Sequence, residues 1–192
     1  MKPLRLFLLL LLLGALAQPG MRAAEDFQTE PGFVSLFNGK DLTGWGYAAG
    51  DPFDGKTASS DARYSAADGV LTVHPKSPRQ IAKLWTTRQF PKDFILCIEF
   101  RAEVNADSGI YLRRPQLQCR DYRVAGPYKE LKQYRPQDWN LIEVTVKDGV
   151  AVCTCNGEVL EAALQLPETG PIGLEGDRGQ MEYRHIRFKE LP

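Results

Sequence analysis

Three polar side chains share one side of a short predicted strand near the middle of the chain. Gln116, Gln118 and Arg120 alternate with Leu117 and Cys119, and alternation in a β-strand places the two sets on opposite faces. Amide and guanidinium groups offer several directed hydrogen bonds, which is the chemistry that holds sugar hydroxyl groups. The pattern indicates either a face that only meets water or, if the sheet is concave, a face that binds a hydroxylated ligand.

Two polar turns carry further groups that could do chemistry. The first contains Asn105, Asp107 and Ser108, and the second contains Glu175, Asp177 and Arg178. Paired carboxylates can act as a general acid and base, or as oxygen ligands of a calcium-type site. The same residue types also favour ordinary turns, so a solvated turn stays an alternative for each.

Other catalytic arrangements find no support in the sequence. His74 and His185 are far apart, and the chain has neither a glycine-rich phosphate loop nor a G-x-S-x-G elbow. Trp45, Trp85 and Trp139 could stack on sugar rings, although aromatic residues in β-sandwiches more often belong to the core.

The first 24 residues have the layout of a secretory signal peptide. Lys2 and Arg5 give a positive start, and an apolar run over residues 6–13 follows that is too short to span a membrane comfortably. Small residues suited to cleavage stand at Ala15-Leu16-Ala17 and at Ala23-Ala24. We expect residues 1–24 to be removed and residues 25–192 to form one exported domain without a membrane span.

Charge argues against a nucleic-acid partner. The whole chain has 24 Lys and Arg residues and 24 Asp and Glu residues. Residues 1–24 contain three cations and no acid, which leaves the mature chain with 21 cations, 24 anions and a net charge of −3. A mildly acidic protein suits a neutral or cationic partner better than a phosphate backbone.

The four cysteines, Cys97, Cys119, Cys153 and Cys155, allow two interpretations. In an oxidising compartment one long-range disulfide is expected, with Cys119 joined to Cys153 or Cys155, or else the thiols are simply buried. A zinc site is disfavoured, because the spacing is not Cys-x-x-Cys and no histidine lies near.

The elements that must position these residues are short strands. Residues 93–101 and 140–146 alternate apolar with polar side chains, which is typical of half-buried strands. Asp-Gly at 148–149 and Asn-Gly at 156–157 predict hairpin turns, so residues 140–160 form a three-stranded meander. A similar turn stands at 68–69. Further strands are predicted at 34–37, 70–73, 81–85, 109–113, 116–120, 172–175 and 181–189.

Together these short strands predict an all-β sandwich or jelly roll. No convincing amphipathic helix occurs in the mature chain. Residues 46–61 and 122–138 are expected to be long irregular loops, the places where binding groups commonly lie on a rigid sandwich.

Five motifs in register resemble the DUF1080 family, also called the 3-keto-disaccharide hydrolase domain family. They are GFVSLFNGKDLTGW (32–45), DSGIYLRR (107–114), QDWNLIEVTV (137–146), CNGEVL (155–160) and GPIGLEGDRGQMEYRHIRFKEL (170–191). The resemblance covers residues 32–191, and it implies a concanavalin A-like (laminarinase-like) jelly roll of two antiparallel sheets. It also implies an exported bacterial protein, periplasmic or extracellular, that acts on 3-keto-glycosides.

The implied chemistry needs three kinds of group. A ketone at C3 acidifies the proton on C2, so a base can remove it and the C1 substituent can leave by elimination, with water addition completing a net hydrolysis. The ketone oxygen needs a polarising cation, an arginine or a metal. No cofactor is identified by a motif in the sequence, and a divalent metal is one way to supply this charge.

The match to the family motifs is partial. Gln116 stands where the family commonly has Glu, Glu175 replaces an amide, and His185 replaces Asn, whereas Arg113, Gln118, Asp121 and Arg184 keep the family residue type. An amide cannot hold a proton, so the base of an enzyme would be an acidic residue or His185. A non-catalytic carbohydrate-binding module is the alternative function.

These considerations give a set of expected site residues. The candidate catalytic residues are Asp121, Glu175, Asp177 and His185. The candidate residues for binding a glycoside or oligosaccharide are Asn105, Ser108, Arg113, Gln116, Gln118, Arg120, Arg178 and Arg184. No metal ligands are assigned.

Overall fold

The computed structural model describes residues 27–76, 81–91, 93–124 and 126–192, and within these ranges all regular structure is β-strand. The predicted all-β architecture is therefore confirmed. The strands are β1 (Val34–Ser35), β2 (Trp45–Ala48), β3 (Asp51–Pro52), β4 (Tyr64–Ala67), β5 (Val70–Val73), β6 (Ala82–Thr86), β7 (Phe94–Ala102), β8 (Asp107–Leu112), β9 (Gln116–Arg120), β10 (Asn140–Lys147), β11 (Val150–Cys155), β12 (Glu158–Gln165), β13 (Ile172–Gly176) and β14 (Met181–Glu190).

Two antiparallel sheets form the predicted jelly-roll sandwich. Sheet A has the strand order β12-β11-β10-β7-β14-β5-β4, with β1 also paired to β14, and sheet B has the order β3-β2-β6-β13-β8-β9. Their inner faces meet in one core, to which sheet A contributes Leu96 and Ile98 and sheet B contributes Leu84, Leu117 and Leu174. The side chains between these positions point outward, as strand alternation requires.

The predicted hairpins occur where the glycine dipeptides stand. Asp148 and Gly149 have φ of 51° and 74°, and Asn156 and Gly157 have φ of 48° and 85°. Positive φ at both central residues is the requirement of a type I′ turn, which suits the twist of the flanking strands. The meander of β10, β11 and β12 is thus confirmed, as is the hairpin between β4 and β5 at Asp68-Gly69.

The prediction of an irregular loop over residues 46–61 is partly wrong. β2 begins at Trp45 and β3 covers Asp51–Pro52, so the segment forms the edge of sheet B. These strands have few alternating apolar residues, and they pair because β6 offers a free edge to β2. The expected signal peptide lies outside the described residues, among which no helix is long and apolar enough to cross a membrane.

The predicted disulfide is also wrong, because all four cysteines are free and buried. Cys119, Cys153 and Cys155 face the core, where they pack as small apolar side chains. Burial raises the pKa of Cys97 to about 11 and those of Cys153 and Cys155 to about 12, and it raises that of Cys119 as well. These thiols stay protonated and unreactive at neutral pH.

One buried amide ties the start of β10 to the turn before β12. The Asn140 side chain is inaccessible to solvent and donates to the carbonyls of Arg135 and Asp138 at 2.8 and 2.7 Å. Its oxygen accepts from the Arg135 backbone N–H and from Asn156 Nδ2, both at 2.8 Å. Asn140 therefore satisfies several backbone groups that the sandwich would otherwise leave unpaired.

Replacing Asn140 with Ala should lower the free energy of unfolding by about 3 kcal/mol or more, because each buried group left unpaired costs about 1–3 kcal/mol. Urea unfolding measures the change. Val159→Ala, at an exposed position, is the control and should change stability by less than about 0.5 kcal/mol. A loss below about 1 kcal/mol in Asn140→Ala would contradict the role given to this amide.

Candidate functional site

Four neighbouring strands of sheet B carry polar side chains on the side away from the core. We call this side the open face of sheet B and define it by Lys83, Trp85, Asp107, Tyr111, Gln116, Gln118 and Glu175. Strand alternation explains the set, since Leu84, Ile110, Leu117 and Leu174 between them point into the core. The open face therefore collects residues from β6, β13, β8 and β9.

Glu175 occupies the middle of the open face, since β13 lies between β6 and β8. Its carboxyl group accepts hydrogen bonds from the Tyr111 hydroxyl at 3.0 Å and from Gln116 Nε2 at 2.7 Å. Only 7% of the residue is exposed. The carboxyl is thus fixed in orientation by one donor on each oxygen.

Burial raises the pKa of the Glu175 carboxyl above its ordinary value. The Tyr111 hydroxyl and the Lys83 ammonium oppose the rise, whereas the negative charges of Asp177 and Asp107 add to it. The same desolvation, together with the Glu175 charge, raises the pKa of Tyr111 to about 12, so this phenol remains a hydrogen-bond donor. A carboxyl with a raised pKa is suited to accepting and returning a proton.

Lys83 provides a cation beside this carboxyl. It is the direct cross-strand partner of Glu175 in the pairing of β6 with β13, and opposed residues on one sheet face have neighbouring side chains. The Lys83 ammonium lies 4.4 Å from the centre of the Tyr111 ring. A proton acceptor and a positive charge therefore stand next to each other on the open face.

Asp107 organises a second group of charges at the end of β8. It accepts from Gln118 Nε2 at 2.6 Å, and its other oxygen lies 3.5 Å from Arg120 Nη1 and 3.4 Å from Arg178 Nη2. Backbone hydrogen bonds join Asp107 and Arg178 in both directions. The second polar turn is thereby held against the strands that carry the glutamines.

Two glycines make room for large side chains on the open face. A Cβ atom on Gly109 would stand 2.1 Å from Gln116 Nε2, and one on Gly173 would stand 2.5 Å from the Trp85 ring. Because these positions lack side chains, Gln116 can cross β8 to reach Glu175 and the indole of Trp85 can lie over β13.

Some of the expected site residues come together here. Gln116, Gln118 and Glu175 lie on the open face, with Arg120 and Arg178 at its Asp107 end. Asp177 is close enough for its charge to act on Glu175.

Asp121 lies elsewhere, in the loop directly after β9. It is buried, and its carboxylate accepts from the Tyr134 hydroxyl and from Gln137 Nε2, both at 3.3 Å. It also accepts from the backbone N–H of Asn105 at 3.2 Å, while the Asn105 carbonyl accepts from Arg178. These contacts hold the loop in place. Asp121 continues the alternation of Leu117 and Cys119, which face the core, so its carboxylate does not lie on the open face.

Ser108 and Arg113 are buried and lie outside the open face of sheet B. Ser108 donates to the backbone carbonyl of Glu175 at 2.6 Å, on the core side of β8. Arg113 is 3% exposed and donates to the carbonyl of Pro167 at 2.7 Å, with its guanidinium 5.5 Å from the centre of the Phe94 ring. Both residues support the sandwich and do not line the open face.

Arg184 and His185 lie on the outer side of sheet A, across the sandwich. Both pair with Glu99, at 2.8 Å from Arg184 Nε and 2.9 Å from His185 Nδ1. The Arg184 guanidinium also covers Trp139, and the His185 ring stacks on Phe27. The expectation that these residues join the glutamines in one site is wrong, since sheet A separates them.

Lys83 and Tyr111 are not among the expected site residues, and Asp107 is expected only as part of the first polar turn. The segment Ala82-Lys83-Leu84-Trp85-Thr86 alternates in the pattern that places Lys83 and Trp85 together on one face. This alternation was available in the sequence, but the pairing of β6 with β13 was not.

The described residues contain no group of three or more His, Cys, Asp or Glu side chains that could hold a metal ion. These residues therefore offer no evident ligand set for the divalent metal that the sequence left open.

Comparison with known proteins gives a family and a fold. Residues 32–189 match the model of a family described as the 3-keto-alpha-glucoside-1,2-lyase-like domain, which confirms the resemblance seen in the sequence. None of the curated proteins matches the chain.

Solved structures share the sandwich. Two proteins of Parabacteroides distasonis ATCC 8503, both provisionally named glycosyl hydrolases, have 19% and 18% identity and TM-scores of 0.67 and 0.61. The alignments cover 87% and 83% of this chain and 99% of each of those chains. The carbohydrate-binding module CBM66 of Bacillus subtilis has 6% identity and a TM-score of 0.52, covering 78% of this chain and 97% of the module. At these identities the likeness establishes the fold.

The raised pKa of Glu175 predicts a pH-dependent change in stability. A folded-state pKa above the unfolded value stabilises the fold at low pH, and this contribution is lost as pH rises through the folded-state value. Glu175→Gln keeps an oxygen acceptor and removes the buried charge, so its melting temperature should equal or exceed that of the wild type at about pH 7. The gain should shrink towards about pH 4.

Thermal unfolding followed by circular dichroism across this pH range measures the difference. The exposed Glu143→Gln variant is the control and should follow the wild type at each pH. If Glu175→Gln lowers the melting temperature, and lowers it more at neutral pH than at acidic pH, then burial does not raise the pKa of Glu175.

Proposed function

The chain belongs to the 3-keto-alpha-glucoside-1,2-lyase-like domain family, and from this premise we propose that it cleaves glycosides whose sugar ring carries a ketone at C3. One observation carries the proposal: Glu175 is a desolvated carboxyl with a raised pKa, oriented by two donors and placed beside the Lys83 cation. A surface that only bound sugar would not need this arrangement.

The reaction proceeds by proton removal followed by loss of the leaving group. Glu175 takes the proton from C2, and the electron pair of that C–H bond moves toward the C3 carbonyl to give an enolate. The enolate returns its electrons to form the C1–C2 double bond, and the bond from C1 to the glycosidic oxygen breaks. The leaving oxygen takes up the proton that Glu175 removed from C2, which restores the carboxylate. Water added later across C1 and C2 places its hydroxyl group on C1 and a solvent hydrogen on C2, which gives net hydrolysis.

The neighbouring side chains have distinct roles in this scheme. The Lys83 ammonium stabilises the negative charge that develops on the C3 oxygen, because it stands next to the base on the adjacent strand. Arg178, held by Asp107, offers donors for the ring hydroxyl groups. Gln118 donates both of its amide hydrogens to Asp107 and to the Ser108 carbonyl, so it offers its side-chain oxygen as an acceptor. Tyr111 and Gln116 keep the Glu175 carboxyl in place through the proton transfer.

Glu175→Gln should lower kcat for release of the aglycone from a 3-keto-glucoside by about 100- to 10,000-fold, the usual contribution of a positioned general base. The wild-type kcat/KM should fall as pH drops through the raised pKa of Glu175, at values above the ordinary range near about 4.3. Chromatographic assay of the released aglycone measures both effects.

Glu143→Gln is again the control, and its activity should match the wild type. A Glu175→Gln protein that binds and turns over normally would remove Glu175 from the mechanism. If the wild type binds sugars but converts none of several 3-keto-glycosides, with or without added divalent metal, the chain is a carbohydrate-binding module instead.

We also propose that the protein is exported, with residues 1–24 as its signal peptide and residues 25–192 as one domain. The charged start, the apolar run and the alanine pairs support this. N-terminal sequencing of the mature protein from its native cell should begin near residue 18 or residue 25, after one of the two candidate sites. Mature material that still begins at Met1 would contradict cleavage.

A further inference from the structure

The open face of sheet B differs on the two sides of Glu175. Lys83 stands on the β6 side, as the direct partner of Glu175 across the β6–β13 pair. On the other side lie β8 and the edge strand β9, where Asp107 pairs with Arg120. In a sugar ring, C2 is bonded to both C1 and C3. With the C3 oxygen at Lys83 and C2 at Glu175, the C1 oxygen therefore lies on the β8–β9 side.

Most donors on the β8–β9 side are already used within the protein. The Tyr111 hydroxyl donates its hydrogen to Glu175, and the Gln116 amide donates to the same carboxyl. The Gln118 amide gives both of its hydrogens to acceptors on β8. Arg120 is only 8% exposed, which leaves little of it within reach of a ligand. The second polar turn is therefore the source of a donor for the C1 oxygen.

Arg178 in this turn has a fixed guanidinium group. Its Nε donates to the Asn105 carbonyl at 3.1 Å, and its Nη2 lies 3.4 Å from Asp107 Oδ2. Backbone hydrogen bonds of 2.7 and 3.1 Å also join Arg178 to Asp107. Gly179 follows with φ of 72°, and a Cβ atom there would stand 2.7 Å from Ala106 Cα, so the turn fits tightly against the residues before β8. The fold thus sets the position of the guanidinium before any ligand binds.

Arg178 keeps one donor group for a ligand. Its side chain is 51% exposed, and within the described part of the chain its Nη1 has no hydrogen-bond partner. Asp107 takes up part of the positive charge through Nη2, and a hydrogen bond from Nη1 is still assisted by the charge that remains. An arginine in a protein does not give up its proton, so this group stabilises a negative charge without acting as an acid.

The departing oxygen is the atom that needs such a group. As the bond from C1 to the glycosidic oxygen breaks, its electron pair goes to the oxygen, which carries negative charge until it takes up the proton held by Glu175. A more basic leaving group carries that charge less readily. A charge-assisted hydrogen bond to the departing oxygen therefore lowers the barrier most for the poorest leaving groups.

We propose that Arg178 is a catalytic residue that donates a hydrogen bond from Nη1 to the glycosidic oxygen as this oxygen leaves C1. The leaving group then lies over the edge strand β9. The proposal rests on the function proposed above, and it narrows the donor role of Arg178 to one atom of the ligand. No covalent bond to Arg178 forms or breaks in this step.

The test varies the basicity of the leaving group. The substrates are the 3-keto-glucosides of nitrophenol, phenol and methanol, in order of increasing basicity of the leaving oxygen. Arg178→Ala should reduce kcat/KM for the methyl glucoside by about 100-fold, the usual cost of removing one donor to a developing oxyanion. The loss should be much smaller for the nitrophenyl glucoside, because nitrophenolate carries its own charge well. A plot of log kcat/KM against the pKa of the leaving group should therefore be steeper for the variant.

Two further variants make the comparison specific. Arg178→Lys keeps a positive charge without the planar fork of donors, so it should recover part of the loss. Arg135→Ala is the matched control, because the Arg135 guanidinium is 60% exposed and lies 3.8 Å from Asp138 in the loop before β10. Its rates should match the wild type on all three substrates. Melting curves establish that each variant is folded at the assay temperature.

A purely structural or binding role of Arg178 predicts a different pattern. In that case Arg178→Ala would lose the same factor on all three substrates, and the unchanged slope would overturn the proposal while the proposed function stands. A wild type that converts none of the three would overturn both. A steeper slope for Arg178→Ala, partly restored in Arg178→Lys, supports the contact with the leaving oxygen.

Discussion

A carboxyl group at the centre of a sheet face loses most of its hydration. The side chains around Glu175 on the open face of sheet B compensate for part of this loss. Glu175 is 7% exposed, so its charged form depends on the Tyr111 hydroxyl, the Gln116 amide and the nearby Lys83 ammonium. These groups compensate for only part of the lost hydration, and its pKa remains raised. A carboxyl with a raised pKa is suited to the proton-accepting role that we propose for Glu175.

Strand order and register bring these groups together. β13 lies between β6 and β8, which sets Glu175 beside Lys83 on one side and near Tyr111 on the other. A shift of one residue would turn Glu175 into the core and Leu174 outward. Gly109 and Gly173 leave space for the neighbouring side chains, because any side chain at these positions would displace Gln116 or Trp85.

Much of the fold follows from local patterns, whereas the site depends on contacts between distant segments. Alternation predicted β9 at residues 116–120 with its observed bounds, and Asn-Gly predicted the turn into β12. Asp121 could not be placed in this way, since the later segment containing Tyr134 and Gln137 determines its surroundings. The separation of His185 from Glu175 likewise reflects sheet membership, which neither residue's neighbours in sequence reveal.

The fate of the hydrogen on C2 shows whether Glu175 acts as a base. In D₂O, removal of the C2 proton and later addition of water require the 3-keto-glucose product to carry deuterium at C2, as NMR or mass spectrometry can measure. If Glu175 removes the C2 proton, the wild type places one deuterium at C2 per turnover. Product incubated in D₂O with the Glu175→Gln protein measures the deuterium that enters by spontaneous exchange. Enzymatic product that retains its original C2 hydrogen would mean direct substitution at C1 and would contradict Glu175 as the base.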